Sequence, residues 1–230
     1  MWTRTANGRV LHFYLAGINN QNFLMRDRET GSWWQQITGK AIYGPLKGSS
    51  LELVLSDELT FAEWKSEIAG GQVLAQVAKD EKHYESDWEP EVAKLPVVIS
   101  FPGTELKSRD VVVGLAFSGA ARAYPWDTAV KQSPIMDHLQ GTPLLLAISP
   151  DGKSFRLFIS RINGQDTEFF RKSDTKDWAL VDTATASEWN FQGCATSGAA
   201  QGTCLKQIPA LKDYWFDWRN YHPDTTIYKR

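Results

Sequence analysis

The sequence predicts a mainly β fold with a few short helices, a β-rich α+β protein made of two related β-meander-plus-helix units from an internal duplication. Three observations predict it. Short apolar and aromatic runs are punctuated by Asn-Gly, Asp-Gly and Gly-Pro steps. Two amphipathic stretches, SDELTFAEWKSE and KDYWFDWRNYHP, each close a run of such strands. A segment near the N-terminus also returns, in weaker form, in the second half of the chain.

Taken in order, VLHFYLAG is entered through Asn7-Gly8, a dipeptide that favours the positive φ angles of hairpin turns, and reads as a strand. In DRETGS, Gly31 takes the left-handed position of a short loop, with FLMR before it and SWWQQI after it as partner strands. KAIYGPLKG and SSLELVLS continue as strands around a Gly-Pro turn. A helix follows, in which Thr60 and Glu63 form a capping box and Phe61, Trp64 and Ile68 share one face. AKDEKHYESDWEPEVAKLP is charged and turn-rich, a linker that can hold a helical turn. Beyond VVISFPG, the run VVVGLAFSGAARAYP reads as a hairpin, Trp126 to Gln132 as a helix and LLLAIS as a strand. FRLFIS, entered through Asp151-Gly152, is a further strand, and KDYWFDWRNYHP is a helix that stops at Pro223.

The internal similarity pairs Gly8 with Gly152 at an offset of 144, Trp33 with Trp178 and Gly48 with Gly193 at 145, and Leu51 with Leu205 and Trp64 with Trp218 at 154. The step falls in GCATSGAAQGTC, so the second unit is expected to carry an inserted loop there. The expected organisation is a first unit over residues 1–78, a linker over 79–108 and a second unit over 109–230 with a cysteine-loop insertion at 194–204. Elements from Asp110 onward have first-unit counterparts that would precede Met1, so the first unit is expected to be N-terminally truncated. Either the chain is a fragment of a longer protein or its first copy borrows a sheet from the other.

Composition narrows the function classes. With 230 residues, 42% hydrophobic and 23% charged, the chain can bury a substantial core. A formal net charge of −2 supplies no basic excess to neutralise phosphates, so nucleic acid is not an expected partner. Apolar runs such as Leu144 to Ile148 are too short to span a bilayer, and the first twenty residues lack the apolar core of a signal peptide. Cys194 and Cys204, separated by small and polar residues, favour a disulfide and hence an extracytoplasmic, periplasmic or secreted, location; the alternative is two free thiols in a cytosolic protein. Their spacing matches neither a zinc site nor a redox CxxC, and no metal or cofactor is expected.

Two stretches carry a family resemblance. NQNFLMRDRETGSWWQQITGKAIYGPLKG, and VVGLAFSGAARAYP followed by MDHLQGTPLLL, resemble the core and opening motifs of the bacterial domain-of-unknown-function family 3179 (DUF3179). Members of that family carry a His-Glu pair before an Asn-Asp step and a Cys-Pro-Leu-Cys-Gly-Thr motif after it. Here the aligned positions hold Gln132, Ser133 and AISPDG, Ala147 to Gly152. If family chemistry needs that set, this chain does not perform it unaided.

Asn20, Arg26, Asp27, Arg28 and Gln36 form the densest polar group of the family-like stretch, and an Arg beside an Asp can clamp a carboxylate or phosphate. Asp27 can equally cap its own turn. Ten tryptophans raise a glycan-binding reading, since an indole face stacks on a sugar ring. Trp33, Trp178, Trp64 and Trp218 are assigned to the core as paired positions, leaving Trp34, Tyr43 and Trp88 as freer candidates. The four histidines are scattered, and no nucleophile elbow, HExxH, Walker loop or GxGxxG is present. The leading expectation is a non-catalytic extracytoplasmic binding or scaffold domain with no assigned catalytic residue. The alternatives are a redox or metal-dependent enzyme whose reactive motif lies upstream, and a glycan-binding module. An upstream portion of the same protein is the one candidate partner.

Overall fold

In the computed structural model the described residues are 1–19, 21–83, 86–172 and 178–229. The first half opens with a hairpin of β1 (Thr5–Ala6) and β2 (Arg9–Val10), turned through Asn7 at φ 48° and Gly8 at φ 75°. An antiparallel meander follows: β3 (Phe13–Asn19), β4 (Asn22–Asp27), β5 (Trp33–Gln35) and β6 (Ala41–Tyr43). Helix α1 (Phe61–Glu67) starts at Thr60, whose Oγ1 accepts the Glu63 N–H at 3.3 Å as a capping box requires. The N–H of Thr60 goes instead to Ser154 Oγ at 3.0 Å, so the cap also clasps the second half. A 3₁₀ turn at Ala78–His83 and α2 (Trp88–Lys94) lie in the connecting segment.

The second half begins with β7 (Val111–Phe117), β8 (Ala120–Pro125), α3 (Trp126–Gln132), β9 (Ile135–Leu139), β10 (Thr142–Ile148) and β11 (Phe155–Ile159). It continues through β12 (Arg161–Ile162), β13 (Gln165–Asp166), β14 (Phe169–Arg171), β15 (Leu180–Asp182), β16 (Glu188–Trp189) and β17 (Ala195–Ser197). The chain closes with β18 (Lys206–Gln207), β19 (Leu211–Tyr214), α4 (Trp215–Tyr221) and β20 (Thr226–Ile227). These make sheets ordered β19-β7-β8-β20, β18-β11-β10-β9 and β14-β15-β16-β17.

The middle sheet is covered on both faces, which is why β10 reads as an unbroken apolar run. Leu144, Leu146 and Ile148 pack with Val113, Leu115 and Tyr124, whereas Leu145 and Ala147 pack with Phe158, Phe169 and Trp189. On the outer face of the first sheet, Trp215 and Trp218 of α4 meet Val112 and Ala123. Gly114 permits that contact: a Cβ there would stand 2.3 Å from the Trp218 ring. Among the described residues no helix is long and apolar enough to cross a membrane.

The two halves share local geometry, but in a different register from the one the sequence suggested. Asn7-Gly8 matches Asn163-Gly164, and Phe13 matches Phe169, at an offset of 156. Each of these phenylalanines meets a buried tryptophan edge-on, Phe13 with Trp34 at 5.6 Å and Phe169 with Trp189 at 5.4 Å. Trp34 therefore corresponds to Trp189. Trp33 and Trp178 occupy unlike places, one in β5 and the other in the coil before β15.

Nor is the cysteine loop an insertion. The isolated bridge Cys194↔Cys204 has its counterpart in Lys40↔Ser50 at the offset of 154, and the loop hydrogen bonds Ala41 to Ser49 and Gly48 to Ala41 recur as Ala195 to Thr203 and Gly202 to Ala195. Gly48 accordingly answers to Gly202 and not to Gly193. Two smaller expectations also change. SSLELVLS forms only bridges, Trp2↔Leu53 and Lys40↔Ser50, and KDY is the strand β19 that precedes α4 and not its first turn.

Candidate functional site

The DRETGS turn folds onto its own carboxylate. Asp27 is fully buried and accepts the Thr30 N–H at 2.5 Å, the Thr30 hydroxyl at 2.8 Å and the Trp34 indole N–H at 2.8 Å. Burial alone would raise this carboxyl, but bonds from Trp34, Thr30 and Ser32 outweigh it and hold the group below its ordinary value. Ser32 Oγ then accepts the Leu46 N–H at 3.0 Å, tying the turn to the loop after β6. The second half repeats the arrangement. Asp182 accepts from Thr185 N–H at 2.5 Å, Ser187 N–H at 3.0 Å and Trp189 Nε1 at 2.9 Å, and Ser187 Oγ accepts the Ala200 N–H at 2.9 Å.

This arrangement consumes most of the sequence-derived candidates. Arg26 donates through Nε to the Gly31 carbonyl at 3.0 Å, closing the same turn. Trp34 was expected to be open to a ligand and is instead core: β5 turns it inward between Met25 and Ala41, leaving Trp33 half-exposed. Arg28 and Gln36 are exposed, and the Gln36 carbonyl accepts the Trp2 indole N–H at 2.7 Å. Asn20 lies outside the described residues. The candidates thus do not converge on one ligand platform; Tyr43 and Trp88 are exposed, on β6 and α2 respectively.

A cleft of about 810 Å³ opens elsewhere, between the β7–β8 turn, the β9–β10 turn and the end of α4. Arg122, Gln140, Tyr221, His222, Ser118 and Thr226 line it. Arg122 places Nη1 3.3 Å from Asp137, and that carboxylate also accepts the Tyr124 hydroxyl at 2.9 Å. Desolvation, reinforced by the Asp137 charge, pushes the Tyr124 phenol well up. Burial lowers His222, whose ring lies 3.9 Å from that of Trp218, so it faces the cleft as a neutral imidazole at neutral pH. Tyr221 Oη and Arg122 Nε have no hydrogen-bond partner among the described residues.

Next to Tyr221, on the side facing the first half, sits an acid pair that the sequence reading missed. Asp213 of β19 and Asp217 of α4 are four residues apart and electrostatically coupled, and Asn22 of β4 donates to Asp217. Desolvation first, and then the Asp217 charge, pushes Asp213 up to about 8; desolvation also raises Asp217. The two carboxyls titrate as a coupled pair. The spacing in DYWFD was visible, but Asn22 is 195 residues away.

Ser133 and the stretch from Ala147 to Gly152 also meet. Ser133 Oγ accepts the Ile148 N–H at 2.9 Å, and the following turn has Asp151 accepting from Ser149 and Thr60 hydroxyls, each at 2.5 Å. Hydrogen bonds to Asp151 outweigh its desolvation and lower its pKa. The N-terminus of α1 is pinned to this corner, and Arg156 secures it from below with 2.7 Å and 2.6 Å ion pairs to Asp57 and Glu67.

Residues 1–225 match the family described as a protein of unknown function, DUF3179. The chain belongs to DUF3179. No curated protein and no solved structure matches it. Within this DUF3179 chain the DRETGS stretch is thus a self-satisfied structural turn, while Ser133 and the turn after β10 meet at the corner under α1.

Proposed function

We propose that this DUF3179 chain is a non-catalytic binding or scaffold domain that works outside the cytoplasm and takes a small, neutral, polar ligand in the cleft at the end of α4. The observation that carries this reading is the lining of the cleft. It offers a neutral imidazole, an amide and hydroxyls, while the one guanidinium is engaged by Asp137. The non-catalytic part is supported by Gln132 and Ser133 at the positions where the family has an acid–imidazole pair. The disulfide between Cys194 and Cys204 supports the location.

Chemical-shift mapping with a panel of monosaccharides, amino acids and short peptides tests the binding reading. Shifts confined to Ser118, Gln140, Tyr221 and His222, lost in His222→Ala, are expected; no shifts, or shifts elsewhere on the surface, overturn it. Alkylation of protein purified without reductant should label neither cysteine, and labelling of both removes the extracytoplasmic assignment.

A further inference from the structure

We propose that Val54 on one side and Phe61 with Trp64 on the other flank a docking site for a β-sheet segment of the β7–β10 kind, entering beside Met1–Thr3. The argument comes from matching the two halves residue by residue and does not depend on the cleft reading.

The N-terminal residues occupy the place of β11. Thr3 N–H donates to the Glu52 carbonyl and Val54 N–H to the Met1 carbonyl, both at 2.9 Å, just as Ile208 N–H donates to the Leu157 carbonyl at 2.9 Å. The bridge Trp2↔Leu53 corresponds to Phe158↔Gln207, and each aromatic ring fills the space beside a glycine, Trp2 at Gly39 and Phe158 at Gly193. The other edge of β11 is hydrogen-bonded to β10. The other edge of Met1–Thr3 is paired with no strand among the described residues.

The same contrast runs through the side chains. Val54 is 39% exposed where its counterpart Ile208 is 4%, and Phe61 is 62% exposed where Trp215 is 1%. Trp64 is half-buried, whereas Trp218 is closed against Gly114. In the second half these positions are covered by β7, β8 and the sheet joined to β10. Phe61 and Trp64 stack at 5.6 Å, and exposed aliphatic and aromatic groups of this size have a strong drive to be covered.

The occupant is therefore specified. Its last strand runs antiparallel to Met1–Thr3, and its first strand alternates as VVVGLAF does, with a glycine opposite Trp64. β7–β10 of a second copy do not serve, because they are buried within their own half.

The test joins a second copy of residues 109–156 directly before Met1 of the full chain and follows backbone amide exchange. Amides of Val54 and of Phe61 to Ile68 should exchange at least tenfold more slowly than in the unextended chain. A valine in place of the added copy's glycine equivalent to Gly114 should restore fast exchange. Unchanged exchange with the added segment folded overturns the proposal. So does an unextended chain that is already a dimer with these amides protected, because the face is then covered by a second copy. If the extended chain does not fold, binding of an anilinonaphthalene dye to the unextended chain decides. Phe61→Lys should reduce it several-fold, and no change overturns the proposal.

Discussion

Asp27 and Asp182 each bring a carboxylate to the centre of a turn and saturate it with a threonine, a serine amide or hydroxyl network and an indole N–H. A carboxylate buried this way is held by charge-assisted bonds, so its loss leaves several donors unpaired. Asp182→Asn is expected to destabilise the chain by about 2–4 kcal/mol in urea titration, because the amide cannot accept from the Thr185 N–H, Ser187 N–H and Trp189 indole together. Both pKa values lie below that of an unfolded aspartate, so this stabilisation is present above the unfolded value and is lost as the pH falls through the folded one. The turn was legible from DRETGS because the capping residues are neighbours. That Trp34 and not Trp33 supplies the donor was not, since both could satisfy the pattern and only pairing with Met25 and Ala41 turns one of them inward.

At the scale of elements, the loop from Cys194 to Cys204 shows what a crosslink adds to a structure that also forms without one. Lys40 and Ser50 make the same bridge, with matching turn hydrogen bonds, and hold no disulfide. The double substitution Cys194→Ser with Cys204→Ser should therefore keep the loop's amide protection pattern and lower stability by about 2–3 kcal/mol, the entropy of a short closed loop in the unfolded chain. Unfolding of the loop itself would show that the bond defines its conformation. Helix α1 was readable from its cap and its Phe61, Trp64 and Ile68 face. Its clasp to Ser154, Asp151 and Arg156 was not, because those partners come from strands and turns of the other half. SSLELVLS had the alternation of a strand but in this structure only bridges form, which is what an apolar segment does when the sheet it would join has no adjacent strand.

Across the whole molecule, the junction between the halves is titratable. Asp213 and Asp217 face Glu58, Tyr221, Asn22 and Arg109 there, and burial raises Asp213, Asp217 and Glu58. A carboxyl raised in the folded state holds its proton more tightly than in the unfolded chain. Its stabilisation is complete below the unfolded value near 3.8 and is lost as the pH rises through the folded value of about 8. Stability should thus fall between pH 5 and 8 by up to about 1.4 kcal/mol per pH unit for one proton. Asp213→Asn should flatten that slope in denaturant titrations across the same range; an unchanged slope would place the responsible group elsewhere.

The sequence by itself determined the β-rich class, the hairpin turns, the positions of α1 and α3 to the residue or nearly so, and the family, because each depends on chemistry within a few neighbouring residues. The tertiary structure alone decided which tryptophans are core, that Trp34 answers to Trp189, and that Asn22 meets Asp217. Those outcomes depend on strand register and on contacts between residues far apart in the chain, where a shift of one position exchanges the buried face for the exposed one.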